Sequence, residues 1–523
     1  MASRRDELNA YTFAKKRMVA SFVQPSPTVM DDGAPRPLRA FLPGVIVGAL
    51  ILAGFGAWGM IRPTAPKGWD NTASHIIVGS DSTTRYVILK TGGKKQLHPV
   101  LNLASAKLLL DQGKSDIIRV KESQLDNGDI PRGPTIGIPY APDRMPSADD
   151  AVEQKRWVVC EQPGGGEDKT AQKAVFILAG REASKVEGSQ RLHGSQAMYV
   201  RGKRGRYLVD PSGTKYLLGG PKGEESMSDR QYNLLLRTLF SEGAKPQQVT
   251  DDWLDTLKDG APVEFPRVPG QPNTTAGVDS LPDKANKVGM VLQAQTGGGV
   301  QHYVVVPGKV QPVSDFTAEL LLSSEQLAGL NQLGKPMQVN PQDFVSDSTV
   351  FAGDTTWPSE PPQQVNSTEG GSGARDTVCS ILTNVADNGT PALETWAGRD
   401  YPATIVDGAT SAYVTPGTGL FYRQFQGRAT STGQVFLVTD TGLRYQVQAN
   451  NDGSSGKSKI GADGSGSSAQ QDAQSGGQTT ANKAQVRLGY GDVKPVPVPL
   501  NWSQFLPVGP RLDTNSARQP QGS

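Results

Sequence analysis

Between Arg39 and Arg62 the chain runs for 22 residues, Ala40 to Ile61, without a charge: AFLPGVIVGALILAGFGAWGMI. At about 1.5 Å rise per residue, a helix of that length crosses the ~30 Å hydrocarbon core of a bilayer. Its glycines and Pro43 are residues that membrane helices tolerate, and Trp58 suits an interfacial anchor. A cleaved signal peptide fits poorly. The 39-residue charged leader is too long for an n-region, and no A-x-A site follows the apolar run. Residues 40–62 therefore read as an uncleaved single-pass anchor.

The leader, residues 1–39, carries seven basic side chains (Arg4, Arg5, Lys15, Lys16, Arg17, Arg36, Arg39) against four acidic ones. Basic short flanks stay in the cytoplasm, whereas the charges of a long following domain count little. The expected arrangement is a cytoplasmic N-terminus and a large extracytoplasmic domain. Residues 3–24 read as an amphipathic helix with a capping box at Ser3 and Asp6, stopped by Pro25. Leu8, Tyr11, Met18 and Phe22 share one face, with Lys15, Lys16 and Arg17 beside it. That face suits either anionic lipid or a cytoplasmic partner.

The remaining length allows several folding units at about 100–200 residues each. With 53 Lys+Arg against 51 Asp+Glu, the net charge of +2 gives no basic excess for nucleic acid. Sixty glycines and 38 prolines fit several small cores better than one large one.

A strand–turn–strand phrase recurs four times: RYVILKTGGKKQL (85–97), RYLVDPSGTKYLL (206–218), HYVVVPGKVQPV (302–313) and VFLVTDTGLRYQV (435–447). Each places an aromatic in a β-branched run before a turn containing Gly, the pattern of a hairpin. A second phrase follows each: IIRVKESQL (117–125), PQQVTDDWL (246–254), PMQVNPQDF (336–344) and PVPVPLNW (495–502). Between the phrases, helices are expected at Asn102–Leu110, Asp229–Phe240 (capped by Ser228 and Gln231) and near Asp315–Leu322. In the fourth copy a Gly/Ser tract at 451–485 fills that slot, and its composition predicts disorder and no part in assembly.

The expected fold class is α+β: one transmembrane helix, then four small α+β modules around a β-rich, disulfide-linked central domain. The modules fall at 70–146, 191–272, 287–365 and 413–511. The central segments fall at 147–190 and 366–412, and a disordered tail is expected at 512–523. Cys160 in RWVVCEQ and Cys379 in DTVCSIL are the two cysteines, both in strand-like apolar runs. Outside the cytoplasm they are expected to pair.

The strings LHPVLNLASAKLL (97–109) and GIPYAPDRMP (137–146), with YTFAKKRMVASF (11–22) before the anchor, resemble the EccB family. These proteins are core membrane components of type VII (ESX) secretion systems. The motif residues carrying the resemblance are Leu97, His98, Pro99, Asn102, Gly137, Pro139, Pro142 and Asp143. The resemblance implies four repeat domains around a disulfide-linked centre, and assembly with the EccC motor ATPase, EccD and EccE. It departs from the family at Tyr140, where Gly is common, and in the long Gly/Ser tract.

Some family members carry an ATPase label. The nearest phosphate-loop match, Asn451 to Ser458, replaces the first Gly with Asn451 and lies between no buried strand and no helix. No G-x-S-x-G elbow occurs. The four histidines (His75, His98, His193, His302) are too scattered, and the cysteines too few, for a metal site. His98 before Pro99 reads as a structural turn residue, and Asp251, Asp252 and Asp255 as helix-start carboxylates. No catalytic residue, metal or cofactor is expected. The function expected is a membrane-anchored assembly subunit that self-associates, contacts membrane lipid and binds no nucleic acid; an anchored ATP hydrolase, or a cell-wall-active protein, is the alternative.

Overall fold

In the computed structural model the described residues are 3–23, 37–61, 65–164, 171–367, 374–405, 411–448, 458, 460 and 483–521. Helix α1 (Arg4–Val23) and helix α2 (Pro37–Ile61) precede the folded domain. The Ser3–Asp6 box is half formed: Asp6 accepts the Ser3 N–H at 3.2 Å, but the Ser3 hydroxyl takes the Arg5 N–H instead of that of Asp6. Within α2 no residue of the apolar stretch Phe41–Trp58 is buried among the described residues.

The first module holds strands β1 (His75–Gly79), β2 (Arg85–Thr91) and β3 (Lys94–Pro99), helix α3 (Leu103–Leu109), strand β4 (Asp116–Val120) and helix α4 (Glu122–Leu125). The sheet order is β3-β2-β1-β4, with β4 parallel to β1. The recurring phrases are thus its second and third strands and its closing parallel strand with the short helix. The opening strand carries no phrase of its own and escapes the sequence reading.

After α5 (Ala148–Val152) come β5 (Arg156–Gln162) and β6 (Gln172–Leu178) of the central sheet. The second module follows as β7 (Gln196–Gly202), β8 (Gly205–Val209), β9 (Thr214–Leu217), α6 (Asp229–Leu239), β10 (Gln247–Gln248), α7 (Asp251–Leu254) and β11 (Lys258–Asp259). The third is β12 (Val291–Thr296), β13 (Gly299–Val306), β14 (Lys309–Val313), α8 (Asp315–Ser323) and β15 (Met337–Gln338). Strand β16 (Gln363–Gln364) joins β7, and β17 (Thr377–Val385), β18 (Pro391–Gly398) and β19 (Ala412–Val414) complete the central sheet. The fourth module is β20 (Leu420–Phe425), β21 (Gln434–Val438), β22 (Arg444–Gln446), α9 (Lys483–Leu488), β23 (Val496–Pro499) and α10 (Leu500–Ser503); α11 (Thr514–Ala517) ends the chain. All four modules close on a parallel strand beside their first.

Two expectations are corrected here. The fourth module has its helix after all: α9 begins at Lys483, inside the tract expected to be structureless, and buries Ala484, Gln485 and Leu488. Ile460 from the same tract is also buried, within the core shared by modules 1 and 4. Residues 451–457, 459 and 461–482, with most of the phosphate-loop-like string, lie outside the described residues. The tail is not disordered up to Gln521. Leu512 and Ala517 are buried, and the Gln521 N–H donates to the Thr135 carbonyl at 2.8 Å. Low-complexity composition hid a few apolar residues whose partners lie far away in sequence.

Period-two alternation explains the layers. In β2, Val87 and Leu89 join the core beneath α3, while Tyr86 and Ile88 face a second core with Trp69 and Leu125. In β7, Ala197 and Tyr199 face α6, while Met198 and Val200 face the central sheet. One large core joins the central sheet to modules 2 and 4, through Trp157, Trp253, Tyr422 and Trp502 among others. Modules 1 and 4 share another, and α8 of module 3 contributes Phe316 and Leu320 to the helical face of module 2. The modules therefore pair as 1 with 4 and 2 with 3. Glu161, next to Cys160, ties the centre to module 2 by accepting the Thr250 N–H at 2.8 Å, and burial pushes its carboxyl up.

Candidate assembly surfaces and signature residues

Cys160 and Cys379 lie directly opposite each other on antiparallel β5 and β17, with Cα atoms 4.1 Å apart, and form a disulfide. Both are buried, in a core with Trp396 and Phe176.

The signature residues converge although two stretches supply them. Segment 130–143 folds back over β3 and the start of α3. Leu97 donates its N–H to the Pro131 carbonyl and accepts that of Gly133, both at 2.9 Å. Asn102 caps α3: its Oδ1 accepts the Ser105 N–H at 3.0 Å, and its Nδ2 donates to the Ile138 carbonyl at 2.7 Å. Asp143 accepts the Leu103 N–H at 2.9 Å and pairs with Arg85, placing negative charge at the positive end of α3. Pro142 is buried, Pro99 half-buried and Pro139 exposed. Gly137 sits at φ +137°, and a Cβ there would press on Leu101 at 3.1 Å. This constellation is a stitched helix start. Its residues hold module 1 together.

His98 is a strand residue of β3, not a turn residue, and it is buried. Its Nδ1 lies 3.0 Å from the Pro134 carbonyl, so it carries the proton, and Nε2 has no partner among the described residues. Burial lowers its pKa below the ordinary 6.5. An unfolded chain takes up this proton first as the pH falls, so stability is full above about pH 6.5 and declines below it. Unfolding titrations should show wild type weakening between pH 7 and 5 more steeply than His98→Asn, which keeps a donor toward Pro134. Parallel curves would refute that role.

Tyr140, the departure from the family, sits at φ +61° and is 86% exposed. A left-handed backbone costs an L-residue about 1–2 kcal/mol, while glycine entropy takes back about 0.5–1. Tyr140→Gly should stabilise the chain by roughly 0.5–1 kcal/mol, read as a raised thermal midpoint.

Sequence reading missed a reciprocal device at the seam of modules 1 and 4. Lys107 of α3 reaches the Leu488 carbonyl at the end of α9 (3.4 Å), and Arg487 of α9 donates to the Leu108 carbonyl at the end of α3 (2.9 Å). Each cation satisfies the other helix's open carbonyl end. Burial pushes both pKa values down. The only local signal is a basic residue before Leu near each helix end.

On α1, Leu8, Tyr11, Met18 and Phe22 are 64%, 67%, 68% and 91% exposed. Tyr11, Ala14, Lys15, Met18, Val19 and Phe22 line one shallow groove. Asp251 accepts the Lys203 N–H and Asp252 pairs with Lys173 at 2.7 Å at the start of α7; Asp255 ends that helix. Among the described residues, no group of three or more His, Cys, Asp or Glu is gathered to hold a metal.

An apolar anchor helix, an exposed helix α1 before it and four interlocked modules around a cross-linked sheet define a membrane-anchored repeat scaffold. The family model for the type VII secretion system ESX-1 transport TM domain B matches residues 1–522. The chain belongs to the EccB family and is a membrane-anchored subunit of an ESX secretion complex. It is similar to the ESX-3 secretion system ATPase EccB3 of Mycobacterium tuberculosis H37Rv, at 26% identity over 98% of this chain and 88% of the relative. With the ESX-2 secretion system ATPase EccB2 of the same strain it shares 28% over 85% and 86%. Its fold matches a chain in an intact ESX-5 inner membrane complex (TM-score 0.57, 20% identity, 100% of this chain and 96% of that one). It also matches the EccB3 dimer of the ESX-3 core complex (TM-score 0.53, 22% identity, 84% and 99%).

Proposed function

We propose that this chain is an assembly scaffold of its ESX complex. The leader docks on cytoplasmic partner subunits (EccC, EccD and EccE), and the large domain self-associates outside the cytoplasm. The observation that carries the reading is the set of exposed apolar side chains on α1, with Tyr11, Met18, Val19 and Phe22 lining a groove around Lys15, close in sequence to the anchor. A buried disulfide supports the outer location, since such bonds persist in oxidising compartments. The dimer found for EccB3 supports self-association. Changing Leu8, Tyr11 and Met18 to Asp should release the partner subunits from purified complexes while the chain stays in the membrane. Unchanged co-purification would leave α1 lying on lipid and defeat the docking. Because relatives bear the word ATPase in their names, an ATP hydrolysis assay on the purified chain belongs beside it; turnover lost with Lys457→Ala would favour the enzyme reading.

A further inference from the structure

Module 1 begins very close to the membrane. Ala65, four residues beyond the last residue of α2, already packs against the core of Ile77, Tyr86 and Ile88. Four extended residues span at most about 14 Å. The headgroup layer on each side of a bilayer is itself about 5–7 Å thick.

One end of the module's sheet gathers around this entry. Ile77 pairs with Tyr86, so the start of β1 lies beside the end of β2 and the Gly92–Gly93 hairpin tip. Parallel β4 starts at the same end, with His75 opposite Asp116. Asp70 of the entry segment holds Lys95 at 2.8 Å, and the Asp111 N–H donates to the Ala73 carbonyl at 2.9 Å. This end therefore carries Lys67, Lys90, Lys94, Lys95 and Lys114 against Asp70, Asp111 and Asp116. Lys95 and Asp70 neutralise each other. The side chains of Lys67, Lys90, Lys94 and Lys114 are exposed and make no ion pair among the described residues. On β4, the edge strand across β1 from the β2–β3 hairpin, Ile117 follows Asp116 and is 57% exposed. Four exposed lysines against Asp111 and Asp116 leave this end net positive, and with an exposed aliphatic residue at its edge it suits anionic headgroups.

We propose that this end of module 1 binds the anionic phospholipid surface beside the anchor, with Ile117 set between headgroups, and so fixes the tilt of the large domain. The surface is separate from the leader, and it holds whether or not α1 docks a partner.

The test uses the full-length chain in nanodiscs. Both native cysteines are in the disulfide, so a dye on Gln112→Cys, in the turn at this end, is unique; Lys121→Cys, past the far end of β4, is the control. A headgroup-labelled quencher lipid reads proximity. In discs of phosphatidylglycerol mixed with phosphatidylcholine, the dye at 112 should be quenched and that at 121 spared. Lys90→Gln with Lys94→Gln should weaken the docked state about fivefold each, roughly 25-fold together, and salt near ~1 M should act likewise. Both lysines are exposed and unpaired, so the pair of changes leaves the fold intact. Equal quenching at 112 in pure phosphatidylcholine discs, equal quenching at both positions, or quenching unchanged in the double variant would each overturn the proposal.

Discussion

Replacing Cys160 and Cys379 with alanine lowers stability by on the order of 5 kcal/mol, the chain-entropy value for a bond closing a separation of 219 residues. That figure is an upper one, because denatured chains keep residual structure. The bond crosses the pairing of β5 with β17 in the middle of the central sheet, where the chain returns to it after modules 2 and 3. The sheet's outer strands hang from that pairing, and modules 2 and 4 pack on its face. Denaturant unfolding of the purified chain, oxidised and alanine-substituted, measures the difference. A non-reduced digest should also release the two cysteine peptides linked. Free thiols in that digest, or a midpoint unmoved by substitution, would contradict the arrangement.

The second large effect is expected at Lys155. Its side chain has no exposed surface, and its Nζ lies 3.2 Å from the Asp150 carboxylate. Asp150, 23% exposed, also accepts the Gly419 N–H at 2.9 Å, joining α5 to the start of module 4. Removing one partner of a buried pair strands the other, at a cost of about 3–5 kcal/mol. Lys155→Met should cost about 3 kcal/mol, the lower end of that range, because Asp150 keeps some contact with water. Adding Asp150→Asn removes the stranded charge and keeps a carbonyl acceptor for Gly419. The double variant should regain the part of the loss due to the stranded charge, while the Asp150 and Glu153 carbonyls that Lys155 Nζ also serves stay without it. If the two changes simply add, the pair is not coupled and the assignment fails.

Much of the fold was legible because the signals are local. A hairpin needs only contiguous alternation and a turn residue, so four copies stood out in RYVILKTGGKKQL and its counterparts. The opening strands HIIVG, QAMYVRG, VLQAQT and LFYRQF share no such phrase, and only their pairing with the closing strands reveals them. The signature around Leu97 and Gly137 was legible as a motif, but not as the cap of α3. Its two stretches meet only when segment 130–143 folds back. The reading failed where composition stood in for contacts. Ile460, Ala484 and Leu488 sit in or beside a polar tract, and Leu512 and Ala517 in a terminal stretch, yet all are buried.

By itself the sequence determined the apolar membrane span, the basic leader before it, the repeated module and a single possible disulfide. Each depends on residue type within one stretch, or on there being two cysteines to join. Only the tertiary structure decided that modules 1 and 4 close on each other and that 2 and 3 do likewise. Those seams are built from pairs such as Lys107 and Leu488, 381 residues apart. A contact at that distance leaves no periodicity in either stretch. Its stability comes from mutual burial and satisfied helix ends, which exist only once both partners are in place.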